Sequence, residues 1–76
     1  MNKVKIYTSN TCKYCNMAMD FLNKNNIDYI EYNISKNPQA MKTLIKMGHM
    51  SVPLILVGDE IITGFDKDKI EKLINN

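Results

Sequence analysis

The chain has 76 residues, enough for one small domain over residues 1–76, which must use dense secondary structure to bury a core. Its apolar share of 45% is ordinary for a globular protein and argues against disorder. A net charge of +2, spread over interspersed lysines and carboxylates, leaves no footprint for nucleic acid or an anionic membrane, and no apolar run approaches bilayer-spanning length.

Met1-Asn2-Lys3 leads directly into a strand rather than a signal peptide, so the expected location is the cytoplasm. The first strand reads as Lys3 to Tyr7, with Val4 and Ile6 on one face. Lys3 and Lys5 opposite them mean that the other face is thinly covered or that the lysine tips reach water. Thr11 is the candidate N-cap of a first helix from Cys12 to Lys24. Its inward stripe is Ala18, Phe21 and Leu22, flanked by Met17 or Met19, and Asn25-Asn26 supplies the stop. Ile27 to Ile34 alternates, with Ile30, Tyr32 and Ile34 pointing one way, and suits a half-buried edge strand.

A second helix opens with Asn37 as N-cap and Pro38 at its first position. It carries Met41, Leu44 and Ile45 as its apolar stripe and ends before Gly48. The continuous apolar run Val52 to Val57 suits an interior strand, its leading Pro53 tolerated at the strand start. Gly58-Asp59 is a two-residue hairpin signal, and Glu60 to Thr63 is the return strand. Gly64 breaks the chain, Asp66 caps a last helix, and Ile70, Leu73 and Ile74 are its buried stripe. The order is β-α-β-α-β-β-α, with the first two strands parallel and the last two an antiparallel hairpin.

The only two cysteines, Cys12 and Cys15, fall between the first strand and the first helix. A C-x-x-C in that setting reads as a thiol–disulfide exchange motif. A helix start offers unpaired N–H groups and the positive end of the helix dipole, and Lys13 adds a cation. The Cys12 thiolate is therefore expected to form below the free-cysteine pKa of about 8.5, while Cys15, one turn deeper on the same face, is the less ionised thiol. Cys12 attacks and Cys15 resolves. A purely structural disulfide closing so short a loop constrains the unfolded chain little. A metal site is not expected, because Cys12, Cys15 and the single His49 fall short of the four ligands of structural zinc.

The run from Tyr7 through Thr11-Cys12-Lys13-Tyr14-Cys15, the segment Ser51-Val52-Pro53 and the turn Gly64-Phe65-Asp66 together resemble the glutaredoxin family across essentially the whole chain. The resemblance implies the thioredoxin fold: α/β, with a four-stranded mixed sheet and helices on both faces. It implies a cis Val52–Pro53 bond facing the cysteines, with the Val52 backbone pairing with an extended substrate segment. Tyr14 then lines the groove. Asp66 accepts from a glutathione amino group or serves as a plain N-cap, and the N–H groups around Phe65 and Asp66 take a carboxylate. Glutathione is a possible co-substrate and no tightly bound cofactor is implied.

Three departures bear on the reductant. Lys13 replaces the usual proline, Ser9 stands where many glutaredoxins have a lysine for a glutathione carboxylate, and Thr63-Gly64 replaces Gly-Gly. The chain also has no arginine, so a bidentate guanidinium clamp is excluded. Thr63-Gly64-Phe65 is similar to the NrdH-redoxins, which take electrons from thioredoxin reductase and serve ribonucleotide reductase. The expected partners are disulfide-containing proteins and, as donor, glutathione or thioredoxin reductase, acting on a monomer. An iron–sulfur or metal-binding module is the alternative from another class, disfavoured by the bulk of Lys13. A passive interaction module is the third. His49 reads as an exposed loop residue ahead of a proton-transfer role. The six methionines read as core filler, and Tyr7, Tyr29 and Tyr32 as sheet packing.

Overall fold

Strand β1 (Val4–Thr8) is the hub of the sheet in the computed structural model, which describes residues 3–74. It is followed by α1 (Lys13–Lys24), β2 (Ile30–Asn33), α2 (Pro38–Lys46), β3 (Leu54–Val57), β4 (Glu60–Thr63) and α3 (Lys67–Ile74). The strands lie in the order β2-β1-β3-β4. β1 runs parallel to β2, with Tyr7 opposite Tyr32, and antiparallel to β3, with Tyr7 opposite Leu54. β3 and β4 form the antiparallel hairpin closed by Gly58-Asp59. The element order and strand directions are those the sequence predicts.

Alternation along the strands divides the core in two. Val4, Ile6, Ile55, Val57 and Ile62 face α1 and α3, where they bury Ala18, Leu22 and Ile70. Tyr7 and Leu54 face the other way, against Ala40 and Leu44 of α2. Helices therefore cover both faces. The α2 face is the thinner one: Lys5 is only partly covered, and Ile30, its partner across β2, is 47% exposed. Farther along the same face Tyr32 stacks on Tyr7, ring centroids 5.1 Å apart. Burial first, and then the neighbouring Tyr32, raise the Tyr7 hydroxyl pKa above its ordinary value.

Both long helices end in the same device. In α1, Asn26 takes a positive φ of 56°, its N–H donates to the Asn23 carbonyl, and the Ile27 N–H reaches back to the Leu22 carbonyl at 2.9 Å. In α2, Gly48 at φ 82° donates to Ile45, and the His49 N–H donates to Leu44. These are Schellman closures, with a left-handed residue one past the cap. They explain why β2 is shorter than the alternating run: Ile27 belongs to the end of α1, so pairing begins only at Ile30.

Other expectations shift at their edges. β1 ends at Thr8 rather than Tyr7, and β3 starts at Leu54 because Pro53 has no N–H to give. The stripe of α2 is narrower than predicted. Ala40 and Leu44 are buried, whereas Met41 and Ile45 are 40% and 48% exposed, since only a small patch of sheet lies beneath that helix. The methionines fill the core only in part: Met19 and Met47 pack half-buried against its two halves, whereas Met17 and Met41 are exposed and Met50, in the loop before Pro53, is 78% exposed. Asn37 caps α2 through its carboxamide oxygen, which accepts from Gln39 and Ala40 N–H, with Pro38 next as expected.

Candidate active site

The carboxyl end of β1 delivers the chain into the cysteine turn. The Cys12 N–H closes onto the Ser9 carbonyl at 3.4 Å, and α1 begins at Lys13. Cys12 itself is the N-cap, with extended backbone at φ −96°, ψ 104°, and its Sγ accepts from the Cys15 N–H at 3.0 Å. This corrects the assignment of Thr11 as cap and of Cys12 as the first helical residue. The capping acceptor is the sulfur, so Thr11 lies one residue outside the helix and is exposed. The sulfur takes the place usually held by a serine or aspartate oxygen. The first turn of α1 carries no acidic residue to compete for the positive helix end.

The two sulfurs are joined as a disulfide, across a Cα–Cα separation of 5.2 Å. Their surroundings differ. Cys12 is partly exposed, while Cys15 is 0% exposed, its Sγ lying 4.0 Å from the Tyr7 carbonyl. Lys13 and Tyr14, between the two cysteines in sequence, are exposed, Tyr14 with 61% of its surface free.

Two further segments converge here. The β1–β3 register sets Leu54 opposite Tyr7, so its continuation brings Pro53 beside Thr8, at the mouth of the cysteine turn. The Val52–Pro53 peptide is cis, as the resemblance implies; Val52 is half-buried and Pro53 buried. The Pro53 carbonyl in turn accepts from the Gly64 N–H at 2.9 Å, which ties the Gly64-Phe65-Asp66 turn to the proline segment. Gly64 sits at φ 77°, a conformation that favours glycine. Phe65 turns its ring inward, edge-on to Phe21 at 6.1 Å, while the Lys67 ammonium lies over the Phe21 ring at 5.9 Å. The Asp66 carboxylate accepts from the Lys69 N–H at 3.2 Å, and so caps α3. Three motifs far apart in sequence thus meet at one end of the sheet.

The profile of the glutaredoxin family matches residues 4–62. The chain belongs to the glutaredoxin family. Among its relatives, a glutaredoxin-like 8.6 kDa protein in the rubredoxin operon of Clostridium pasteurianum is 36% identical over 74 residues, covering 93% of this chain and 96% of the relative. The glutaredoxin-like protein NrdH of Lactococcus lactis is 31% identical over 70 residues, covering 92% and 97%. The fold is shared with the NrdH-redoxin of Escherichia coli at a TM-score of 0.85 and 28% identity, covering 93% of each chain. These likenesses identify the four-stranded mixed sheet with helices on both faces as the thioredoxin fold.

In this glutaredoxin-family chain two arrangements were not foreseen from the sequence. Thr8, only 1% exposed, donates its hydroxyl to the Glu31 carboxylate at 2.7 Å, bridging β1 and β2. Beyond it, Asn10, Asn33 and Ser35 form a closed ring. The Asn10 N–H donates to Ser35 Oγ at 3.1 Å, the Ser35 N–H to Asn33 Oδ1 at 2.9 Å, and Asn33 Nδ2 to Asn10 Oδ1 at 3.0 Å. Asn33-Ile34-Ser35 at the end of a strand is a legible turn signal, since an asparagine side chain often accepts from the N–H two residues on. Its partner in the cysteine turn, 23 residues away, has no sequence signature. His49 is half-buried, and its backbone serves the closure of α2.

Proposed function

We propose that the chain is a small dithiol redoxin that reduces disulfides in other proteins by thiol–disulfide exchange at Cys12 and Cys15. The observation that carries this reading is the asymmetry of the pair: one sulfur at a helix cap facing an amide and solvent, the other sealed beneath it. The Cys12 thiolate attacks one sulfur of the target disulfide. A mixed disulfide forms and the target's other sulfur leaves as a thiolate, which takes up a proton. Cys15 then loses its proton and attacks Cys12. The Cys12–Cys15 bond forms, the mixed disulfide breaks, and the second target thiolate departs. Two electrons pass from the dithiol to the target.

Around this centre, Tyr14, Val52 and Pro53 form the groove. An extended substrate strand pairs there with the Val52 backbone, a mode tolerant of substrate side chains. Lys13 supports the thiolate, while Gly64, Phe65 and Asp66 hold the proline segment in register. No prosthetic group enters the cycle. The reading puts the chain, as a monomer, in a reducing compartment such as the cytoplasm. Among the described residues no helix is long and apolar enough to cross a membrane.

For the electron donor we favour thioredoxin reductase over glutathione. The supporting observations are the absent arginine, Ser9 in place of a lysine, the use of the Asp66 carboxylate as a cap, and the NrdH relatives. The E. coli NrdH-redoxin is itself described as having a thioredoxin-like activity profile. Reduction of the Cys12–Cys15 disulfide is followed with thioredoxin reductase and its pyridine nucleotide, and separately with glutathione. Faster reduction by the reductase is expected. Preference for glutathione overturns the donor assignment, and reduction by neither system, with no transfer to a protein disulfide, overturns the redoxin reading.

A further inference from the structure

We infer that Asn10, Asn33 and Ser35 are positioning residues for the attacking sulfur, a clasp that holds the cysteine turn in the geometry which stabilises the Cys12 thiolate. The inference rests on the redoxin reading for its consequence, but not for its test.

The turn from Ser9 to Thr11 is the only connection between β1 and the cap of α1. Asn10 and Thr11 are exposed, and within the turn itself the one backbone hydrogen bond is the long 3.4 Å contact from Cys12 to Ser9. Left alone, such a segment samples many conformations. The Cys12 Sγ contact with the Cys15 N–H depends on the extended backbone of Cys12, which the turn delivers. Whatever fixes Asn10 therefore fixes the direction from which the sulfur meets the helix amides.

The ring does this with both the backbone and the side chain of Asn10. Each member donates once and accepts once, so the three bonds form a cycle with a consistent sense. The cycle also orients the Asn33 carboxamide without ambiguity: its oxygen must take the Ser35 N–H and its nitrogen must face Asn10 Oδ1. Behind the ring, the loop that supplies Asn33 and Ser35 is anchored. The Asn33 carbonyl accepts from Lys36 and Asn37 N–H, and the Ile34 N–H donates to the Thr8 carbonyl at 2.8 Å. The clasp thus links the cysteine turn to the end of β1 and the start of α2. Each bond is exposed to water and weak alone. Their closure into a cycle is what gives the turn a single arrangement.

The measurement is made on reduced full-length protein, by thiolate ultraviolet absorbance against pH and by the pH dependence of iodoacetamide alkylation at Cys12. In Ser35→Ala and Asn33→Ala the apparent Cys12 pKa is expected to rise by about half a unit, toward the free value of about 8.5. Ser35→Thr keeps the hydroxyl and is expected to stay at the parent value. Asn10→Ala combined with Asn33→Ala should shift it no further than Asn33→Ala alone, because the one ring bond of the Asn10 side chain is already lost with the Asn33 carboxamide. Thermal melts on the same samples report global stability separately. If Asn33→Ala fails to fold, Ser35→Ala and Ser35→Thr carry the test.

An unchanged pKa in Ser35→Ala overturns the inference, as does an equal rise in Ser35→Thr. Alkylation requires no turnover. Parent protein that reduces no protein disulfide would sink the redoxin reading while leaving the clasp tested on its own terms.

Discussion

The core between the sheet and helices α1 and α3 and the rim that carries the cysteines are held by different forces. In the core, Ile6, Leu22, Ile55, Ile62 and Ile70 are all 0% exposed and their side chains interlock through apolar contact. At the rim, one to three hydrogen bonds fix each segment: Cys15 N–H to Cys12 Sγ, Gly64 N–H to the Pro53 carbonyl, and the Asn10–Asn33–Ser35 ring. Burial is non-directional and scales with area, whereas hydrogen bonds fix direction but contribute little net stability. Substitutions in the core should therefore change stability and leave thiol chemistry alone, and removal of a side-chain hydrogen bond at the rim should do the reverse.

The largest expected effect is at the rim. Cys12→Ser should abolish disulfide reduction while folding normally. Cys15→Ser should still attack and should accumulate the mixed disulfide, seen by intact mass as an adduct on Cys12. Retained activity in Cys12→Ser would break the assignment of roles. In the core, Ile55→Val should cost about 1 kcal/mol, lowering the melting temperature by about 4–8 °C, with the Cys12 ionisation unmoved. A shift of thiol pKa in that variant would show that core and rim are not separable.

Gly64→Ala tests the seam between them. Nothing lies within 4 Å of an added Cβ, so the cost is that of forcing an L-residue to φ 77°. About 1 kcal/mol is expected, read by urea unfolding. The smallest effect concerns Tyr7, whose pKa is raised by burial and by Tyr32. Above about pH 10 the unfolded chain loses this proton before the folded one does, so stability falls as pH rises through that range. Tyr7→Phe should flatten the fall in unfolding free energy on the alkaline side, with little change near neutrality.

The same division decided what was legible in the sequence. Periodicity and punctuation found every element, because alternating Val4 and Ile6, the Asn37-Pro38 start and the Gly58-Asp59 hairpin each express a local constraint. The cysteine pair was legible for the same reason, whereas the cis bond at Pro53 was legible only through the family resemblance. Boundaries failed where a backbone closure overrode the pattern. Ile27 is apolar and in phase with the strand, yet its N–H is committed to Leu22. Met41 and Ile45 failed because the width of a helix stripe depends on how much sheet lies beneath it, which no helix states about itself. Thr11 failed as cap by one residue because a sulfur took the acceptor role. The clasp was invisible because Asn10 and Ser35 meet only through the parallel pairing of β1 and β2.

The account turns on which sulfur carries the negative charge. Fully reduced protein is treated with a trace of iodoacetamide at about pH 6, well below the free-cysteine pKa, and the labelled residue is read by peptide mass spectrometry. The account predicts label almost entirely on Cys12, at a rate several-fold above that of a free-peptide cysteine. Label shared with Cys15, or reaction at Cys12 no faster than in the peptide, would contradict it.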